Sequence, residues 1–156
     1  MEEKKVLERL QRQCAKAEYC SQDVRRKALK ALEGDAEAAA RVVESLVKDR
    51  FVDDARYAGA FSRDKAAFSG WGPVKIAFAL RSKGIPREII AEAVSGLDKE
   101  KASARLEKLL ADKYRTLKED PAAKLKLLKF GLSRGFSYDD VAPAVESVIA
   151  NSEKDS

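Results

Sequence analysis

The spacing of hydrophobic positions along the chain predicts that most of it is helical. From Val42 to Val47 apolar residues recur at i, i+1, i+4 and i+5, and the same spacing returns from Ile89 to Val94. Such spacing places apolar side chains on one face of an α-helix. We predict nine helices, over residues 6–19, 22–32 and 35–48, two within 51–85, one after residue 86, and three over 102–117, 122–132 and 137–149.

A turn within residues 51–85 separates two of these helices. Trp71 lies there between two glycines. Pro73, whose φ is fixed and which lacks an amide hydrogen, fits the first position of the helix that follows. Gly84 supplies the left-handed residue that ends that helix. The rest of the chain is predicted to be arranged around this pair of helices.

Adjacent acidic residues recur where helices are predicted to begin. A carboxylate in such a position accepts hydrogen bonds from the amides of the first turn and suits the positive end of the helix dipole. We therefore interpret these pairs as helix caps and not as catalytic pairs. Ser21 is predicted to cap the second helix, and Ser137 the last one. The acidic pairs are Asp53-Asp54, Glu119-Asp120 and Asp139-Asp140.

The predicted helices repeat along the chain. Gly84 and Gly135 are 51 positions apart, and Gly34 stands at a similar place in an earlier unit. Recurrence of this kind is typical of tandem repeats. The fold class expected is all-α, with three tandem three-helix repeats in an elongated, curved arrangement. The repeats are predicted at residues 1–50, 51–99 and 100–150, followed by a frayed tail at 151–156.

Composition removes several classes of site. The 156 residues include no histidine, the commonest general base and zinc ligand, and no glycine-rich phosphate loop or CxxC pair. We expect no catalytic residue, cofactor or metal. Cys14 and Cys20 are too far apart along a helix for a disulfide and are predicted to be free thiols. The charged N-terminus and the lack of a long apolar run predict a cytoplasmic protein.

Positive charge is concentrated in the middle of the chain. Between Arg63 and Arg87 lie six basic residues and one acidic residue, so this segment alone carries the net charge of +5 of the whole chain. The middle helices of the other repeats are basic too. Equivalent helices in a stack present a positive strip to an acidic groove or a nucleic-acid backbone. Ordinary solvated helix faces are the alternative interpretation.

The aromatic side chains are predicted to lie mainly in the core. Tyr57, Phe61, Phe68 and Phe78 occur at helical spacing among aliphatic neighbours. Core packing is therefore favoured over a base-stacking surface. Trp71 differs because it lies in a turn. Its ring either clamps that turn onto the core, which we favour, or anchors an interface.

Ordered motifs in the central repeat resemble those of a bacterial regulatory family. They are Phe51-Val52-Asp53-Asp54, Arg56-Tyr57-Ala58, Phe61, Gly70-Trp71-Gly72-Pro73, Lys75-Ile76, Leu80 and Lys83-Gly84-Ile85. Together they resemble the signature of the RecX family, with weaker matches at Lys129-Phe130 and Ser133-Arg134-Gly135-Phe136-Ser137. The chain departs from the pattern at Asp35, where the family has an apolar position, and at Val74, where it often has a basic one.

The resemblance implies a regulator that is not an enzyme. Members of the RecX family bind the recombinase RecA in the helical groove of its filament on single-stranded DNA. They restrain filament growth, ATP hydrolysis, strand exchange and the co-protease activity that triggers the SOS response, and they can also contact DNA. By this resemblance we expect a protein that acts in recombination and DNA repair. We also expect a monomer that does not bind membranes.

Basic residues of the central and third repeats, together with Trp71, are the predicted contact with the RecA filament and its DNA. The set follows from charge and position and is not carried over from known contacts. It comprises Arg63, Lys65, Trp71, Lys75, Arg81, Lys83, Arg87, Lys126, Lys129 and Arg134. A direct, sequence-nonspecific DNA-binding protein is the alternative, because lysine and arginine suffice for backbone contact. An inert helical scaffold is a third hypothesis.

Overall fold

The computed structural model describes residues 2–154, and this part of the chain is entirely helical apart from turns. Nine helices and no strands occur in it, which confirms the predicted all-α class. The helices are α1 (Glu3–Lys16), α2 (Ser21–Ala31), α3 (Ala36–Lys48), α4 (Asp54–Phe68), α5 (Pro73–Ser82), α6 (Arg87–Ser95), α7 (Lys99–Tyr114), α8 (Ala123–Ser133) and α9 (Tyr138–Lys154).

The described chain divides into two compact units. The first contains the residues up to 61 together with 80–93, and the second contains 62–79 together with the residues from 94 onwards. The division passes through α4, α5 and α6. Each of these central helices therefore contributes to both units. The boundaries of the three sequence repeats stay a prediction.

Apolar side chains of α1, α2 and α3 form the core of the first unit. The residues buried there are Val6, Leu10, Val24, Ala28, Ala39, Val42, Val43, Leu46 and Val52. Full burial of one such aliphatic side chain contributes about 1.5–3 kcal/mol. The predicted stripe from Val42 to Leu46 lies in this core, but Val47, which the same pattern included, is 47% exposed.

The core of the second unit lies among α7, α8 and α9. Its buried residues are Leu106, Leu110, Leu127, Phe136, Val141, Val145 and Val148. Gly131 of α8 lies against Val141 of α9, and a β-carbon on this glycine would lie 2.6 Å from a methyl carbon of that valine. The small residue therefore allows these two helices to approach closely.

Glycine ends the middle helix of each group of three, as the repeat pattern predicts. Gly34, Gly84 and Gly135 have φ of +85°, +75° and +96°. This left-handed backbone costs about 1–2 kcal/mol for residues with a β-carbon. The prediction that Gly84 ends a helix is confirmed, and the spacing of 51 between Gly84 and Gly135 reflects a structural equivalence.

The beginning of α2 differs from the sequence prediction. Cys20 is the N-cap, and Ser21, predicted to be the cap, is the first helical residue. The amide of Ser21 donates to Asp54 Oδ1 at 2.8 Å, and its hydroxyl donates to Asp54 Oδ2 at 2.7 Å. Asp53 accepts from the amide of Arg56 at 3.0 Å. Of the predicted acidic pair, Asp53 thus caps α4, whereas Asp54 binds the start of α2.

Several helices extend beyond their predicted bounds, α7 and α9 among them. α7 begins at Lys99, three residues before the predicted start, because Asp98 accepts from the amide of Lys101 at 3.0 Å and caps it. α9 continues to Lys154, so the tail predicted to fray is helical that far. The last two residues, 155 and 156, lie outside the described part of the chain. At the start of α9, Ser137 Oγ accepts from the amide of Asp140 at 3.2 Å, as predicted.

Candidate binding site at Trp71

The turn between α4 and α5 places Trp71 beside the last turn of α4. The amide of Trp71 donates to the carbonyl of Lys65 at 3.0 Å. Gly70 precedes it with a φ of +67°, a left-handed conformation that reverses the chain direction after α4. Trp71 is half-buried. The backbone therefore fixes the indole near side chains from the end of α4 and the start of α5.

A second turn, between α8 and α9, lies directly against this one. The amide of Gly72 donates to the carbonyl of Arg134 at 2.8 Å, and the carbonyl of Gly135 accepts from Val74 at 2.8 Å and from Lys75 at 3.4 Å. The first amides of a helix have no partner within the helix. Here the α8–α9 turn supplies an acceptor for two of those in α5. This arrangement holds the start of α5 in place.

Three positively charged side chains meet at the paired turns. The ammonium groups of Lys65 and Lys75 each lie 4.7 Å from the centroid of the Trp71 ring. Arg134 Nη2 donates to the carbonyl of Ser69 at 2.8 Å, and Arg134 Nε is buried without a hydrogen-bond partner among the described residues. A cation over an indole gains about 0.5–2 kcal/mol, depending on its exposure. We call Lys65, Trp71, Lys75 and Arg134 the Trp71 cluster.

The first unit contains an equivalent contact at the start of α2. Cys20 occupies the N-cap position, as Gly72 does in α5, and its sulfur donates to the carbonyl of Lys83 at 3.9 Å. Lys83 precedes Gly84 just as Arg134 precedes Gly135. The same helix start therefore meets the same glycine turn in both units, which is the structural expression of the sequence repeat.

Side-chain chemistry at the equivalent contact is different. Lys83 Nζ lies 3.0 Å from Asp23 Oδ1, and this hydrogen bond raises the pKa of Lys83. Burial pushes the pKa of Asp23 upwards, but hydrogen bonds from Lys83 and Cys20 outweigh it, so the pKa of Asp23 falls below its usual 3.8. Burial also raises the pKa of the Cys20 thiol, and both cysteines are free, as predicted. Lys83 is therefore held in an internal ion pair.

The structure brings four of the ten predicted contact residues together, in the Trp71 cluster. Arg63 and Lys129 belong to the same unit and are exposed. Lys126 Nζ lies 2.5 Å from Asp120 Oδ2 in an ion pair. Arg81, Lys83 and Arg87 belong to the first unit. Trp71 is in contact with two lysines, a feature that neither the clamp nor the anchor interpretation included. The role of all ten as contacts stays a prediction.

Two aromatic residues predicted to be buried lie on the surface. Phe68 is 86% exposed and Phe78 is 67% exposed, so the core prediction is wrong for both. Ile76 and Leu80 are the buried residues of α5, and Phe78, two positions from each, lies on the opposite face. The offset of two positions between Phe78 and these buried residues is the sequence signal that could have identified Phe78 as exposed. Tyr57 is buried as predicted, and its ring stacks on Phe61 with centroids 5.8 Å apart.

Phe68 illustrates how a helix can extend past the core that it packs against. In the second half of α4 the buried residues are Ser62 and Ala66, and Phe68 is the last helical residue, two positions beyond Ala66. Its spacing from Tyr57 and Phe61 gave the false prediction. Those two residues belong to the first unit, whereas Phe68 belongs to the second.

Within residues 2–154, no helix is both long and apolar enough to cross a membrane. The same part of the chain holds no group of three or more cysteine, aspartate and glutamate side chains placed to ligate a metal ion. The Trp71 cluster, with two lysines and an arginine beside an indole, has the chemistry of an anion-binding surface.

Comparison with known proteins assigns a family. Residues 53–94, which include three members of the Trp71 cluster, match the family model "RecX, second three-helix domain". Regulatory protein RecX of Clostridium botulinum (strain Alaska E43 / Type E3) is 33% identical over 119 residues, which are 74% of this chain and 55% of that relative. The chain belongs to the RecX family. Regulatory protein RecX of Clostridium beijerinckii (strain ATCC 51743 / NCIMB 8052) is 31% identical over 126 residues, 78% of this chain and 58% of the relative.

Solved RecX structures share the fold. The crystal structure of RecX from Lactobacillus salivarius has a TM-score of 0.85 at 19% identity, with 95% of this chain and 97% of that chain covered. A second RecX crystal structure has a TM-score of 0.82 at 22% identity, with 95% and 71% covered. The tandem helical repeat is thereby confirmed. The chain spans about half the length of the curated RecX relatives that it matches, 55% for the Clostridium botulinum protein.

Proposed function

We propose that this protein binds the filament that RecA forms on single-stranded DNA and restrains its ATPase, recombinase and co-protease activities. It does so as a cytoplasmic monomer without catalytic chemistry of its own. The observation that carries the proposal is the position of three members of the Trp71 cluster, Lys65, Trp71 and Lys75, inside residues 53–94, the segment that matches the RecX family model. A filament on DNA is a polyanion, and the cluster is cationic.

The geometry of the cluster supports its use as a contact. Lys65 and Lys75 are both placed against the ring of Trp71, and Arg134 is held by the carbonyl of Ser69. Side chains that are already ordered lose less conformational entropy when a partner binds. Long-range attraction between unlike charges also accelerates the encounter and makes it sensitive to salt. We therefore propose Lys65, Lys75 and Arg134 as the central electrostatic contact, with exposed Arg63 and Lys129 in the same unit.

The test is single-strand-dependent ATP hydrolysis by RecA with this protein added at substoichiometric amounts. The charge-reversed variant is Lys65→Glu/Lys75→Glu, and folding is verified by circular dichroism and urea unfolding. Lys4→Glu/Lys5→Glu is the matched control, because these exposed lysines of α1 give the same change in net charge. Lys83 is unsuitable because its loss would also leave Asp23 without its partner.

Inhibition by the parent and the control, with about a tenfold or greater loss of potency in the cluster variant, would support the proposal. Full inhibition by the cluster variant would retain the function but reject this contact. The alternative is a direct, nonspecific DNA-binding protein. It would be favoured if the parent left RecA unaffected and bound naked DNA tightly, with an affinity that falls steeply with salt.

A further inference from the structure

A row of leucines lies on the outer face of α8. Leu125 is 52% exposed and Leu132 is 40% exposed, and Leu128 between them is half-buried. The three residues follow one another at i, i+3 and i+7, so they share one side of the helix. We call Leu125, Leu128 and Leu132 the α8 leucine face.

The fold does not require this face to be apolar. The residues that α8 buries in the second unit are Ala123, Leu127 and Gly131, which recur every four positions. Leu125 lies two positions from both Ala123 and Leu127, and two positions correspond to about 200° around a helix. Isolated exposed apolar residues are common, but a contiguous exposed row indicates a binding surface.

A groove between α8 and α9 continues the face. Tyr138, the first residue of α9, is 61% exposed, and it lines the groove together with Leu128 and Pro143. The groove has a volume of about 290 Å³. An apolar groove of this kind beside a helix is the form of surface that receives the apolar side chains of an amphipathic helix.

Positive charge borders the α8 leucine face. Residues 122–137 contain four basic residues and no acidic residue. Lys129 is exposed. It follows Leu125 by four positions and precedes Leu132 by three, so it neighbours both leucines on the helix surface. An apolar row bordered by cations complements a segment that carries apolar and acidic residues together.

The two other lysines of α8 form ion pairs that a partner can displace. Lys124 pairs with Glu146, and Lys126 Nζ lies 2.5 Å from Asp120 Oδ2. The lysine side chains are 68% and 53% exposed, and ion pairs at exposed positions contribute only about 0–1 kcal/mol. Either acid can therefore be exchanged for a carboxylate of a partner with little loss of stability.

We propose that the α8 leucine face and the adjoining groove bind an acidic amphipathic helix of a partner protein. The apolar residues of that helix pack against the leucines and Tyr138, and its carboxylates lie against Lys129. Of the residues proposed above to contact the filament, Lys129 alone belongs to this surface as well. The inference goes beyond the proposed function, because the binding requires neither RecA nor DNA.

The test measures binding of two fluorescein-labelled peptides to the full chain. Both peptides have about 18 residues, enough for five helical turns. One has leucines at i, i+3, i+4 and i+7 spacing with glutamate and alanine elsewhere, and the other has the same composition in an order that leaves no apolar face. The first peptide should bind at least about tenfold more tightly than the second. Its helix content, measured by circular dichroism, should rise on binding.

The leucines are tested by truncation. Leu125→Ala and Leu132→Ala should each weaken binding of the amphipathic peptide about fivefold or more, because each removes an anchoring side chain. Val47→Ala is the matched control, since Val47 of α3 is 47% exposed but lies in the first unit. Both leucines are exposed, so alanine at either position leaves the urea midpoint close to that of the parent.

The charge contact is tested with a basic peptide that has lysine in place of every glutamate. The parent should bind the acidic amphipathic peptide more tightly than the basic one. This preference should shrink in Lys129→Glu but not in Lys4→Glu, which changes the net charge equally at an exposed position of α1. The comparison of both variants with both peptides separates a direct contact from the effect of net charge.

Four results would overturn the proposal. The first is equal affinity for the ordered and reordered peptides, or no binding of either. The second is unchanged affinity for the amphipathic peptide in both leucine variants. Self-association of the parent that Leu125→Ala abolishes would assign the face to a second copy of the chain, and binding of oligothymidylate that the same variant abolishes would assign it to nucleic acid. None of these results depends on whether the protein inhibits RecA.

Discussion

Gly72 and Gly135 lie so close together that neither position has room for a β-carbon. A β-carbon on Gly72 would lie 2.4 Å from the carbonyl oxygen of Gly135, and one on Gly135 would lie 2.2 Å from the β-carbon of Lys75. Two turns that are 63 positions apart in sequence therefore pack backbone against backbone. The Trp71 cluster depends on this contact, because it fixes the start of α5 against the α8–α9 turn.

Replacement of Gly72 by alanine should destabilise the protein by about 1–3 kcal/mol, the cost of forcing extra atoms into a packed site. Urea unfolding would measure it. Gly34→Ala is the control, since Gly34 has a left-handed φ of +85° but no atom near its missing β-carbon. That variant reports backbone strain alone. A Gly72→Ala midpoint equal to that of the parent would show that the two turns separate easily.

Removal of the Asp54 carboxylate should weaken the start of α2. Asp54 accepts from both the amide and the hydroxyl of Ser21, and hydrogen bonds to a charged group contribute about 1.5–3 kcal/mol. Asp54→Ala should lower the free energy of unfolding by about that amount. Asp64→Ala, which removes an exposed carboxylate from the same helix, should lower the free energy of unfolding only slightly. Similar losses in the two variants would mean that the contact with Ser21 contributes no stability.

The Asp23–Lys83 pair should make stability depend on pH at both extremes. The folded-state pKa of Asp23 is below 3.8, so its contribution is complete well above 3.8 and is lost as the pH falls through the folded-state value. The pKa of Lys83 is above 10.5, so its contribution is complete well below 10.5 and is lost as the pH rises through the folded-state value. Asp23→Asn should be less stable than the parent at neutral pH, and the difference should shrink in acid. Parallel stability curves for parent and variant across that acidic window would contradict this prediction.

Arg134 should contribute to stability as well as to charge. Its guanidinium donates to the carbonyl of Ser69 at 2.8 Å, from a half-buried position. Arg134→Ala should cost about 1–3 kcal/mol, since it leaves that carbonyl without its donor. Thermal unfolding would measure the loss. Lys129→Ala removes an exposed charge from α8, the helix that ends just before Arg134, and should leave stability nearly unchanged. If both variants unfolded alike, Arg134 would act only through its charge.

Sequence periodicity predicted the features that depend on local chemistry. Gly84 could be recognised as a helix end because a left-handed residue there favours glycine. The apolar stripe from Val42 to Leu46 could be recognised because one face of a helix must be covered. Asp53 could be recognised as a cap because its hydrogen bond closes within three residues. Each of these signals is contained in a short window of the chain.

The remaining features depend on partners that are distant in sequence. The role of Asp54 is set by Ser21, 33 positions away, and the contact between Gly72 and the Arg134 carbonyl involves only backbone atoms. A contact between backbone atoms does not require particular side chains, except that it requires glycine where the two backbones meet. The exposure of Phe68 depends on where the core ends relative to α4, which no periodicity gives. The sequence therefore predicted the positive charge of the candidate site, but it predicted neither the geometry of the site nor the exposure of the aromatic side chains beside it.

The division of the helices between two units has a consequence for synthesis of the chain on the ribosome. Domains tend to fold as units, N-terminal parts first, while the chain is being made. The first unit includes residues 80–93, so it cannot be completed when residue 61 emerges. The first unit can be completed only after residue 93 has left the exit tunnel of the ribosome. By then residues 62–79, including Phe68 and Phe78, have emerged without the α8–α9 turn that later holds the start of α5. The same segment that carries the proposed binding surface thus depends on contacts with a part of the chain that emerges later.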